Sequence, residues 1–355
     1  MLRFVTAGES HGTVLVAILE GMVAGLSIDQ TAIAREMRRR QLGYGRGPRM
    51  QVETDAVELL SGVRRGKTLG SPIALSIKNK DASIDQLPVV IQPRPGHADL
   101  TGAIKYDHRD IRNVLERASA RETAARVAVG ALCKQFLSAV GVELASHVVA
   151  LGSVRITPSR VTIARLRARV ERSPLRCLDP QATRRMMREI DRCAKAGDTL
   201  GGVFEVVAEG VPPGLGSYVH YDRRLDAVLG RAILSIHAVK VAEVGDGVLA
   251  ASLPGSKVHD EIFYRMGKGF VRSSNRSGGF EGGMTTGEPL IVRGFLKPLS
   301  TLRRPLRSVD INTKRPMVAT VERSDVTTVP AAGVVGEAMI AFELAKAVLE
   351  KFGGD

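Results

Sequence analysis

Apolar positions along the chain fall into segments of two kinds, some alternating with period two and some continuous or helical in spacing. Leu2–Thr6 predicts a short strand. Thr13–Ala24 is apolar almost throughout and predicts a buried helix capped by Thr13. Asp29–Gln41 predicts an amphipathic helix with Asp29 as cap, Ile33 and Met37 on one face and Gly43 as the stop. Gln51–Val63 and Pro72–Lys78 alternate as strands do. Asp110–Val140 predicts one long helix, polar in its first half and apolar after Thr123. On such a helix positions 117 and 121 share a face, as do 119 and 123. Val142–Val154, Gly202–Glu209, Leu290–Phe295 and Met317–Val321 predict further strands. Leu225–Val241 and Gly333–Phe352 predict two more helices, with His237 inside the first. The segment 157–197 is different, being rich in arginine (Arg165, Arg167, Arg169, Arg172, Arg184, Arg185, Arg188), and predicts a charged, helical, peripheral insertion. No repeat of fixed period and no further linker is visible, so a single α/β domain over 1–355 is expected.

Four polar stretches interrupt this scaffold: Gly8–Gly12, Arg38–Met50, the run from Arg94 to Asp99 with its continuation Glu116–Thr123, and Ser274–Glu288. Charged groups entering an apolar helix are costly unless paired, which makes an anion the expected partner. Together the stretches and the segment after Met317 offer Arg40, Arg46, Arg49, Arg94, Arg121 and Arg323, the loop histidines His11 and His97, and Asp325. Arginine forks fit carboxylates and phosphates, and histidine exchanges protons near neutral pH. The glycines of 274–288 let backbone approach a ligand closely, yet the stretch is neither a Walker loop nor a dinucleotide fingerprint. GESHG at 8–12 fits the nucleophile elbow of a serine hydrolase through Ser10, but only seven residues precede it, too few for the earlier oxyanion loop. A plain glycine turn fits it equally well.

Composition narrows the classes. Of 355 residues 44% are hydrophobic, ample for a large core, and no apolar run approaches a membrane span. Three cysteines without metal spacing, and no signal-peptide order at the start, point to free thiols in the cytoplasm and to no metal site. The net charge of +14 raises nucleic-acid binding, but the basic residues are dispersed, aromatics are only 4% and no nucleic-acid motif occurs. The residues alone therefore reach a cytosolic enzyme that handles a small polyanion.

Several long motifs in order resemble the chorismate synthase family: GESHG (8–12), GYGRGPRM (43–50), RPGHAD (94–99), ERASARETA (116–124), GGFEGGMTTGEP (278–289), KPLST (297–301) and ATVERSDVTTVPAA (319–332). The resemblance implies a β-α-β sandwich, with long central helices between antiparallel sheets and internal pseudo-symmetry, assembled as a homotetramer. It implies a trans-1,4 elimination of phosphate from 5-enolpyruvylshikimate 3-phosphate, giving chorismate, with reduced FMN required but not consumed. By motif, His11 would protonate the departing phosphate, His97 would sit at the flavin ring, and Asp325 would help flavin N5 act as base. Ser10, Arg40, Arg46, Arg49, Arg94, Arg121 and Arg323 would contact the substrate. Arg117, Ala118, Ser119, Ala120, His237, Ala238, Gly282, Lys297, Pro298, Leu299, Ser300, Thr301 and Arg323 would line the flavin site. No added nicotinamide motif is visible, so NADPH is expected to act only indirectly, through an external flavin reductant. The chain departs from the usual pattern at His237 (commonly Asn), Asp107 (commonly Gly), Asn312 (commonly His) and in SNRSGG (commonly TNxxGG). The intact His11, His97 and Asp325 argue against an inactive relative.

Overall fold

The computed structural model describes residues 1–47, 55–157, 161–322 and 324–354. Two antiparallel sheets enclose two long helices. The first sheet orders its strands Arg3–Ala7, Val14–Glu20, Ile73–Lys78 and Val57–Leu59. The second orders Val239–Val244, Leu290–Leu296, Gly202–Glu209, Glu143–Leu151 and Val154–Arg155. Between them lie the helices Thr123–Ala139 and Val329–Phe352, buried over most of their length. They touch closely at Gly130, where a Cβ would come within 2.3 Å of the Ala338 side chain. Helices Gln30–Gln41 and Leu225–Leu234 flank this pair. The sandwich that the family resemblance implies is thus the fold observed.

Four local expectations are corrected. Val14–Glu20 is a strand, not a helix. Its buried Leu15, Ala17 and Leu19 alternate with Val14, Val16 and Ile18, and β-branched residues suit that pleated surface. Thr13 therefore caps nothing, and Gly8–Gly12 joins two antiparallel strands. A strand–turn–strand cannot be the strand–turn–helix elbow a serine hydrolase needs.

The long helix 110–140 is broken. A single turn, Arg112–Leu115, is followed by a 3₁₀ turn at Ala120–Glu122 and only then by Thr123–Ala139. Ser119 sits between them in extended conformation, and its hydroxyl accepts the Arg121 N–H at 3.3 Å. Arg117 consequently reaches Thr6 and Gly8, whereas Arg121 reaches Asn79 and Asp55.

The helix expected over 225–241 ends at Leu234. Ser235 closes it, His237 and Ala238 form a turn with Ala238 at φ 67°, and Val239–Val244 pairs as a strand with Leu290–Leu296. The expected strand at Met317–Val321 reduces to Pro316–Val318.

The charged segment 157–197 supplies the helices Ile163–Val170 and Pro180–Ala196. The arginines mostly face outward, while Leu166 and Val170 pack on the second sheet and Met186 and Ile190 join the main core. Ile190 lies directly beneath Gly45, where a Cβ would meet its methyl at 3.0 Å. Asp107 ends the helix Asp99–Tyr106 in the left-handed region, at φ 53°. That position favours glycine and tolerates aspartate, which explains why glycine is common there. Asn312 donates its backbone N–H to Asp310 at 2.7 Å within a turn.

Candidate active site

The break in the 110–140 segment makes the first corner of the site. Ser10 donates its N–H to the Glu116 carbonyl at 3.0 Å, and the His11 N–H meets Glu116 Oε2 at 2.9 Å. The same carboxylate receives His11 Nδ1 at 2.9 Å, so the ring is held on that side and its Nε2 faces outward, 4.0 Å from Asp81. Ser119 and Ser10 hydroxyls lie 3.2 Å apart. Arg112 braces Glu116 at 3.1 Å and also reaches Glu322 at 3.2 Å. Burial opposes ionisation of Glu116, but the hydrogen bonds from His11 and Arg112 outweigh it and hold the carboxyl below its usual range.

Asn79 joins this corner to an arginine cluster. Its amide nitrogen donates to the carbonyls of Gly12 (2.6 Å) and Glu9 (3.1 Å), and its oxygen accepts Arg121 Nε at 2.9 Å. Arg121 also grips Asp55, whose other oxygen takes Arg40 at 2.6 Å. Arg46 pairs with Asp325 at 3.1 Å, and Asp325 further accepts the Gly47 N–H at 2.5 Å. Burial and the nearby Arg40 lower the Arg46 guanidinium, against the pull of Asp325 and Asp55. Among the described residues Arg40, Arg46 and Arg121 thus gather around Asp55 and Asp325. Three guanidiniums beside two carboxylates suit an anion.

A second histidine is set in the same way. Asp99 is fully buried and accepts both Arg94 (Nε, 2.8 Å; Nη2, 3.0 Å) and His97 Nδ1 (2.5 Å). Burial pushes the Asp99 carboxyl up, while these partners pull it far below the usual range. Arg94 Nη1 donates to Thr301 Oγ at 2.8 Å. Lys297 and Ser300 both donate to the Gly96 carbonyl, at 2.7 and 2.8 Å, so KPLST fastens the RPGHAD turn. Leu299 offers its carbonyl to Thr199 at 2.7 Å. Arg94 thus also braces His97 through their shared carboxylate.

Next to His97 stands the group around His237. Glu122 accepts Thr6 at 2.7 Å and Arg126 at 2.9 Å, and Arg117 donates to the carbonyls of Thr6 and Gly8 at 2.9 and 3.0 Å. Burial lowers the His237 imidazole, partly offset by Glu122, with Arg126, His97 and Arg117 lowering it further. Its Nδ1 is buried with no hydrogen-bond partner among the described residues. Ala118 and Ala120 lie on the broken segment beside Ser119. Gly282 is not brought here. It sits in the hairpin of Phe280–Glu281 and Met284–Thr285, against the start of the helix whose far end leads to His237. Arg49 and Arg323 lie outside the described residues.

The sequence reading assigned no role to Asp55, Asn79, Asp99, Arg112, Glu116 or Glu122. Asp99 and Glu116 stand inside quoted motifs, and for Asp99 its place two positions from His97 was an available signal. Asp55 and Asn79 carry no local signal, because only the fold brings them to Arg121.

This arrangement defines a class: a helix-filled sandwich of antiparallel sheets that carries two carboxylate-clamped histidines and a cluster of arginines. The chorismate synthase family model matches residues 2–349. Chorismate synthase 2 of Bacillus cereus is 55% identical over 371 residues, covering 100% of this chain and 95% of that protein. Chorismate synthase of Geobacillus kaustophilus is 54% identical over 369 residues with the same coverage, and that of Symbiobacterium thermophilum is 54% identical over 372. A solved chorismate synthase crystal structure superposes with a TM-score of 0.83 at 46% identity, covering 100% of this chain and 93% of the other. The chain belongs to the chorismate synthase family, carbon–oxygen lyases of the shikimate pathway and aromatic amino acid biosynthesis. The family's reaction eliminates phosphate from 5-enolpyruvylshikimate 3-phosphate and uses reduced FMN. Among the described residues no helix is long and apolar enough to cross a membrane.

Proposed function

We propose that this chain carries out the family's elimination with its two clamped histidines and its arginine cluster. Arg40, Arg46 and Arg121, with Arg49 and Arg323, hold the substrate's phosphate and carboxylates, and Ser10 contributes a hydroxyl. His11 gives a proton from Nε2 to the departing phosphate. His97 and Asp325 stand where flavin protonation and removal of the ring hydrogen are managed. The observation that carries the reading is the pairing of each loop histidine, through Nδ1, with a buried carboxylate, which leaves Nε2 of each ring as the working atom.

The residues near His237 suit an anionic aromatic cofactor. A buried, unpartnered imidazole nitrogen stands beside Arg117 and Arg126, and such a nitrogen is costly unless a ligand meets it. Reduced FMN, when bound, supplies transient electron density as phosphate leaves. Arg117, Ala118, Ser119, Ala120, His237, Ala238, Lys297, Pro298, Leu299, Ser300, Thr301 and Arg323 are proposed to hold it, with Gly282 included on the resemblance alone. The chain is further proposed to act as a cytoplasmic homotetramer of single-domain subunits. An external reductant would supply its flavin, with NADPH serving only indirectly.

The test is anaerobic phosphate release from 5-enolpyruvylshikimate 3-phosphate, run in parallel with dithionite-reduced and with oxidised FMN. Release of phosphate and chorismate with reduced flavin alone is expected. No release from folded, flavin-binding protein would overturn the substrate assignment, and turnover driven by NADPH and FMN without added reductant would overturn the external source.

A further inference from the structure

The Ser10–His11 turn is fixed to one side chain, Glu116, by more contacts than its position in the chain requires. Glu116 takes the His11 backbone N–H at 2.9 Å and His11 Nδ1 at 2.9 and 3.0 Å from its two oxygens, while its carbonyl takes the Ser10 N–H at 3.0 Å. It is 1% exposed. Behind it Arg112 donates to Oε1 at 3.1 Å, to the Pro88 carbonyl at 2.8 Å and to Glu322 at 3.2 Å. The carboxylate accepts, so Nδ1 carries the hydrogen, while Nε2 lies on the far side of the ring, 4.0 Å from Asp81.

We propose that Glu116, braced by Arg112 and Glu322, is a positioning residue for His11: it fixes the Nδ1–H tautomer so that Nε2 alone exchanges the proton. This inference rests on the role proposed above for His11. When phosphate leaves, the proton on Nε2 passes to a phosphate oxygen, and the imidazolium becomes the neutral Nδ1–H imidazole already bonded to Glu116. No proton moves to Glu116, and no reorientation is needed during the step. A neutral acceptor at 116 would let the ring turn over or take the other tautomer, as loss of charge on the orienting carboxylate does in serine protease triads.

The test is ¹⁵N NMR of histidine-labelled protein, with the His11 signals identified by their loss in His11→Gln. In the unmodified protein the neutral ring should show Nδ1 protonated and Nε2 bare. In Glu116→Gln the two tautomers should mix, and kcat should fall at least about tenfold with KM changed less than about threefold. Glu116→Asp, which keeps the charge, should restore the single tautomer and part of the rate. It also decides the matter if Glu116→Gln does not fold, since mixed tautomers in a folded Glu116→Asp protein would overturn the proposal. An unchanged His11 spectrum in Glu116→Gln would overturn it as well. The NMR readout needs neither substrate nor flavin. Failure of the unmodified protein to release phosphate would therefore count against the proposed function and leave the tautomer result standing.

Discussion

Arg40 and Asp55 are paired at 2.6 Å, both buried, and the second oxygen of that same carboxylate holds Arg121. The two arginines come from the end of a helix and from the broken segment, 81 positions apart, and Asp55 keeps them side by side. Asp55→Asn should leave two buried guanidiniums facing each other and cost about 3–5 kcal/mol of stability. Inorganic phosphate should raise the thermal midpoint of the variant more than that of the unmodified protein. An equal response in both would show that the cluster does not bind anions through this excess charge.

Asp325 ties the Gly43–Gly47 loop down through Arg46 and the Gly47 N–H. Asp325→Asn should keep the fold and lower turnover at least about 100-fold, the scale of a lost acid–base group. Near-normal phosphate release from Asp325→Asn would remove this residue from the mechanism.

The Lys297–Ser300 contacts to the Gly96 carbonyl set the height of the His97 turn. Lys297→Met should weaken binding of reduced FMN about tenfold or more, the loss expected for one charge-assisted hydrogen bond, with little change in thermal midpoint. Flavin titration checks it, and an unaltered affinity would separate KPLST from the cofactor.

Glu337 is fully buried between Arg39, Lys134 and Arg176, none of which is a proposed site residue. Three cations depend on it, so Glu337→Ala should cost about 3–5 kcal/mol in chemical denaturation. A loss below about 1 kcal/mol would mean that Glu36 and Glu171 satisfy the network without it.

Asp99, Glu116, Glu205 and Glu337 are all held below the ordinary carboxylate range, burial being outweighed by His97 and Arg94, by His11 and Arg112, by His147 and Arg293, and by Arg39 and Lys134 respectively. A depressed folded value means stability that is fully present above the unfolded value of about 4 and is lost as pH falls through the folded one. The urea midpoint should therefore hold steady from pH 7 to about pH 5 and drop progressively below it. A midpoint unchanged down to pH 3 would contradict these assignments.

The sequence by itself determined the motifs, through them the family, and most of the helices Gln30–Gln41 and Val329–Phe352, expected over 29–41 and 333–352. It did so because those signals are local: a cap, a face, an ordered motif. Val14–Glu20 misled because a short run buried on one face of a sheet has no composition that separates it from a buried helix; only hydrogen bonding to Arg3–Ala7 and Ile73–Lys78 settles it. His237 left its helix because pairing of Val239–Val244 with Leu290–Leu296 outweighed two further turns. Asp55, Asn79 and the clamp Glu116 acquired their meaning from tertiary structure alone, whereas Asp99 meets partners two and five positions away. A carboxylate's role depends on which charge lies within about 3 Å, however far away along the chain, and burial is what makes that neighbour decisive.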